Sequence, residues 1–281
     1  MTSTTALSPH EFERPVLDLS ADALRAGLQI MIRGSEDHGG IERYIDAVKL
    51  KSAMFRQALV ENDVAELDLE TFKGLCTFMA TVRRRVGDWL YEERFLEMRE
   101  GVVELFCDDE HIDVRVGRFC DRFPNDKEHR WVRDLAVELL HNADPERVPM
   151  MNRWIWDVKA NTGVIREIWH GDDVDHMTIK VADNYGTYVM LREELSQFLT
   201  DNGFFRDLLF YVDVLCAQIY AQYICEQGGS YLRVDFSAPE DPMQHTRRLL
   251  GLDGVQPGSG RTRLKSIDGE AFILDDSKTL N

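Results

Sequence analysis

A chain of 281 residues with 44% hydrophobic and 10% aromatic side chains carries enough apolar material to bury a core, as one large domain or two modest ones. Its 33 basic and 50 acidic residues leave a formal charge of −17. That balance argues against DNA or RNA as a partner, because phosphate binding draws on clustered Lys and Arg and the counterions they displace.

The five cysteines, Cys76, Cys107, Cys120, Cys216 and Cys225, are odd in number and contain no Cys-x-x-Cys pair. Neither a disulfide framework nor a zinc ribbon is indicated, and a reducing, cytoplasmic setting is expected. The first residues, MTSTTALSPHEFERP, lack the basic and apolar regions of a secretory signal.

In chain order, residues 1–17 read as a loose N-terminus. Ser20 is placed to cap a helix over Ala21–Arg33. A second helix, Glu42–Glu61, carries the stripe Ile45, Val48, Ser52, Phe55, Leu59 at three- and four-residue spacing. A third runs from Glu70 to Arg99, with a weak point at Gly87. Between 101 and 125 the residues fit two patterns: Ile112, Val114 and Val116 alternate as in a strand, while Val116, Phe119, Cys120 and Phe123 suit a helix. The Arg83-Arg84-Arg85 run reads as a solvated helix face. A fourth helix is expected over Lys127–Asn142, and residues 124–126 mark where the domain could subdivide.

Met177, Ile179 and Val181 alternate with polar residues, and Asp183-Asn184-Tyr185-Gly186 offers turn chemistry, so a hairpin over 175–191 is predicted. Helices follow at Arg192–Thr200 and Phe204–Glu226. The apolar run Leu208–Cys225 is interrupted by Asp213, Gln218 and Gln222 and reads as a buried helix, not a membrane span. Asp241-Pro242 would begin a last helix ending at Gly251. The expected class is therefore mainly α (α+β): a multi-helix domain over 18–251 with a small hairpin, then an extended tail over 252–281 with one strand-like run, Ala271–Leu274.

The most informative stretch is 138–176. Five of the eight histidines follow an acid by three positions, among them Glu138/His141 and Glu167/His170, against about 1.4 from composition alone. Residues three apart on a helix share a side and can share a metal ion. Glu138, His141, Glu167, His170 and His176 are thus candidate ligands, with a transition metal as the implied cofactor. A helical wheel at about 100° per residue puts His141, Glu167 and His170 on polar faces and Glu138 at an apolar edge, which instead suggests solvent-facing and capping roles.

The same stretch mixes Trp154, Trp156 and Trp169 with Arg153, Asp157 and Arg166, the composition of interface hot spots and of stacking pockets. The competing reading is core packing, with Arg153 paired to Asp157. A buried Asp213 would need a partner such as Arg153 or Arg166. Local signatures of nucleotide-binding loops, zinc proteases and α/β-hydrolases are absent. The expectation is an accessory or assembly protein binding a protein partner or a second copy of itself, with neither nucleic acid nor membrane, through residues 150–176 and Asp213. The alternative is a metal-dependent oxygenase or hydrolase built on the Glu/His pairs.

Overall fold

The computed structural model describes residues 15–36, 39–107, 110–229, 243–252, 261–265 and 271–275. The described residues are mainly helical, with ten α-helices. α1 (Ala21–Glu36) begins where Ser20 Oγ accepts the Ala23 amide at 3.3 Å, as the sequence predicts. α2 (Ile41–Arg56) continues through a wider π-type turn, Gln57–Glu61.

The expected third helix breaks well before Gly87. α3 (Leu69–Thr77) starts on the Asp68 carboxylate, which accepts the Thr71 amide, and ends ten residues early. Residues 78–85 are turns that still bury Phe78, Met79 and Val82. α4 (Glu92–Phe106) resumes after a short 3-10 turn, Val86–Trp89. Helix wins over strand in the ambiguous region: α5 (Ile112–Asp121) buries Ile112, Val116 and Phe119 and leaves Val114 exposed.

α6 (Trp131–Ala143) is the centre of the molecule, and every residue in it except Arg133 is buried. α2, α4 and α5 pack around it. The short α7 (Val164–Glu167) follows the tryptophan-rich segment. There the backbone of residues 18–20 docks, with Ser20 N donating to the Ile168 carbonyl and His170 N to that of Asp18, both at 2.8 Å.

The hairpin at 175–191 does not form. Asn184, expected in its turn, is an N-cap whose side chain accepts the Thr187 amide at 3.0 Å. Tyr185–Asp201 is one helix, α8, burying Thr187, Tyr188, Leu191, Leu195 and Leu199 at helical spacing. The alternation at 177–181 is nonetheless real, since Ile179 and Val181 are buried and Met177 is exposed. Side chains replace the missing partner strand. Asn161 receives the Ile179 amide and donates to the Met177 carbonyl, and Trp156 Nε1 donates to the Val181 carbonyl at 3.0 Å.

α9 (Leu208–Gly229) is, by length and composition, apolar enough to cross a membrane. Here it is packed against α1, α2, α7, α8 and α10. Gly27 of α1 meets it closely, since a Cβ there would lie 2.8 Å from Ile219. α10 (Gln244–Leu249) ends at Gly251, as expected, but its proposed N-cap at Asp241-Pro242 lies outside the described residues, as do residues 1–14. In the tail, strands β1 (Arg261–Lys265) and β2 (Ala271–Asp275) pair antiparallel; the first was not anticipated.

Gly251 (φ +72°) presses its backbone onto Phe78, so an added Cβ would occupy the space of the Phe78 carbonyl. Gly251→Ala is expected to lower stability by roughly 2 kcal/mol or more, from positive-φ strain and forced separation of α10 from the 78–85 turns. Thermal unfolding would show it as a melting point several degrees below wild type. An unchanged melting point would refute the close approach.

Candidate functional site

α6 carries Asp134, Glu138, His141 and Asn142, all buried, although the helical-wheel reading turned His141 to solvent and left Glu138 at an edge. Glu138 and His141 are 4% and 3% exposed. The wheel presumes one wet face, and α6 has none.

Each polar group has its own partner. Lys51 Nζ lies 3.5 Å from Glu138 Oε2 and donates to the Leu250 carbonyl at 3.0 Å. Glu138 Oε1 accepts from Asn152 Nδ2 at 2.9 Å and from Thr81 Oγ1 at 3.3 Å. Ser52 Oγ donates to the Asn142 carbonyl, and Asn142 Nδ2 to that of Glu138. Five separate stretches of chain (α2, the 78–85 turns, α6, the loop at 152 and the end of α10) thus meet at one ion pair. Burial is the largest influence on both ions, pushing Glu138 up and Lys51 down, and their mutual attraction opposes it.

Asp213 of α9 meets His141, not Arg153 or Arg166 as expected: His141 Nε2 to Asp213 Oδ2 is 3.1 Å. His141 Nδ1 faces the Val148 carbonyl at 2.9 Å, which only accepts, so Nδ1 carries a proton. With Asp213 ionised, Nε2 carries one too, and the pair is imidazolium and carboxylate. Burial works against that charge most strongly, but the Asp213 carboxylate and the two hydrogen bonds outweigh it and hold His141 above its ordinary value. Beside the pair is a cavity of about 20 Å³, bordered also by Met150, Tyr188 and Cys216, which is room for about one water.

The remaining predicted site residues disperse. Arg153 pairs with Asp134 at 2.7 Å and Asp157 with Arg130 at 2.7 Å, so the expected Arg153–Asp157 pair is not made. Trp154 and Trp156 are buried and Trp169 is half-buried, so the first two serve packing as the competing reading held. Trp154 packs at a tilt against Tyr220 of α9 (5.9 Å between rings), which packs likewise against Tyr223 (5.7 Å). Arg166 NH1 donates to the Asn161 carbonyl. Glu167 is half-buried, while His170 and His176 are exposed, the latter bonded to Asp173 at 2.6 Å. Among the described residues no three His, Cys, Asp or Glu side chains gather in a metal-binding group.

Residues absent from the predicted set complete the network: Lys51, Ser52, Asp134 and Asn152 in the core, and Tyr188, whose hydroxyl donates to Asp183 at 2.6 Å. Arg133 also binds Asp183, at 2.6 Å. None of the five cysteines forms a disulfide, and burial raises the thiols of Cys76 and Cys216, and that of Cys120 to about 11. No protein-family model, curated protein or solved structure matches this chain.

Removing one ion of a buried pair strands the other, at a cost of about 3–5 kcal/mol. Lys51→Met and Glu138→Gln should each destabilise by roughly that amount, and the double variant by clearly less than their sum, in denaturant unfolding. Strict additivity would show that the pair is not coupled. The His141 pair has a pH signature. With the folded value raised above the ordinary 6.5, its stabilisation is complete below about pH 6.5 and is lost as pH rises through the folded value. The stability advantage of wild type over His141→Gln should shrink on going from about pH 6 to about pH 9. A constant difference across that range would remove the imidazolium assignment.

Proposed function

We propose that the protein acts by binding a protein partner, in an accessory or assembly role and in a cytoplasmic setting, at the face where residues 150–176 meet the outer end of α9. The observation that carries this reading is the aromatic run Trp154–Tyr220–Tyr223, whose two tyrosines are half-exposed. The partly exposed Arg153 belongs to the same neighbourhood, since its charge and those of Asp157 and Glu167 act on the Tyr220 phenol. Burial, the largest cause, and then Tyr223 and the two acids hold that phenol above its ordinary value.

Rigid aromatics beside arginine are the side chains that dominate interface energetics, because they offer large contact area with few rotamers to freeze. Trp154 lends support from below, fixing Tyr220 in place. Among the described residues, the cavity at His141 and Asp213 has room for about one water, too little for a substrate. The acidic balance of the chain supports a protein partner with basic character over a nucleic acid.

A photo-reactive amino acid at position 223 should give a discrete protein adduct in cells, at twice the chain mass if the partner is a second copy. The same probe at Leu96, exposed on α4, should not. In the background of Tyr220→Ala, adduct yield from position 223 should fall roughly tenfold. Failure to form any discrete adduct from position 223 would end this proposal.

A further inference from the structure

The break between α3 and α4 leaves Arg84 and Arg85 on a turn, and these two, Arg94 of α4, Trp89 and His129 line an open cleft of about 770 Å³. That volume lies within the roughly 300–1,000 Å³ typical of small-molecule sites. Arg94 sits over the Trp89 ring at 5.1 Å, and Phe123 meets Trp89 edge-on with ring centroids 4.7 Å apart. Among the described residues neither Arg84 nor Arg85 makes an ion pair or side-chain hydrogen bond, and both are exposed. Two consecutive arginines thus share one cleft with an indole, on a protein with a formal charge of −17.

We infer that this cleft binds a compact anion carried on a flat heteroaromatic ring, of the nucleotide class, with Arg84 and Arg85 on the phosphates and Trp89 with Arg94 against the ring. Guanidinium presents a planar fork of donors that matches phosphate oxygens two at a time. Indole and guanidinium faces both stack on flat rings. Asp88, Glu97 and Glu128 also line the cleft, and carboxylates there accept hydrogen bonds from the amino and hydroxyl groups that a nucleotide supplies. The same acids, with the acidic remainder of the protein, repel a long polyanion, so a single nucleotide fits the site better than a nucleic-acid strand. The inference uses different residues from the partner-binding face, and either can fail alone.

Isothermal titration of the full chain with ATP in the presence of EDTA tests it, alongside adenosine, inorganic triphosphate, GTP and FMN. At least one of the three nucleotides is expected to bind with a Kd below about 1 mM, more weakly at high salt. For ATP, adenosine and triphosphate alone should each bind at least tenfold more weakly than the joined ligand. The Arg84→Ala/Arg85→Ala variant should lose about tenfold or more in affinity with its melting point unchanged, as befits exposed side chains. The Arg94→Gln variant should weaken the nucleotide more than it weakens triphosphate. The inference is overturned if none of ATP, GTP and FMN binds at up to about 5 mM. It is equally overturned if the double variant binds as wild type does, or if triphosphate binds as tightly as ATP.

Discussion

A helix enclosed on all sides has no solvent face on which to place a charge, and α6 carries several. Asp134, Glu138 and His141 recur at helical spacing along it, and each is buried. An unpaired buried ion costs several kcal/mol even after relaxation, so the segments that reach α6 must supply counterparts. α2 supplies Lys51, α9 supplies Asp213, and the loop after α6 folds back to supply Asn152 and Arg153. The layout of the molecule follows from those obligations: few other placements of α2 and α9 would satisfy both pairs.

Hydrophobic burial alone would tolerate sliding among these helices, because apolar contacts are not directional. The hydrogen bonds made by Glu138 and His141 are directional, and their partners lie far apart in sequence. They therefore act as registers as much as attractions, fixing which turn of each helix faces α6. Burial raises Glu138 and lowers Lys51, and their mutual attraction works the other way. The pair's contribution is better seen as specifying one arrangement than as adding stability.

Much of the helical layout could be read from residues. The Ser20 cap, the α2 stripe and the Gly251 stop all correspond to elements. Asn184 was misread because the same side chain that closes a turn also caps a helix. Gly87 marks the α3–α4 break in the sequence, but its early start at Phe78 does not show there, since Phe78, Met79, Val82 and Val86 keep helical spacing while their backbone turns. For that reason Arg84 and Arg85 looked like a solvated face instead of the rim of a cleft. The polar stripe on α6 reads in sequence as a wet surface. The signal against that was present: Ser52 within the α2 stripe and Asp213 and Gln218 within α9 are polar groups stranded among apolar ones, and they needed partners on a third helix. Which helix, the sequence pattern does not say, because the answer depends on packing between residues up to 199 positions apart.

That separation has a consequence for how the molecule is made. Lys51 emerges from the ribosome early, and the backbone oxygen of Leu250 that accepts its hydrogen bond emerges almost two hundred residues later. Until α10 arrives, Lys51 lacks that oxygen, and the 78–85 turns lack the Gly251 backbone they rest against. A nascent chain therefore holds an unfinished polar centre through most of synthesis, and the closing step is a long-range one that intrinsically slows folding. The last short helix behaves as a clasp, and a chain stalled before residue 250 would present its core to solvent and to whatever chaperones are at hand.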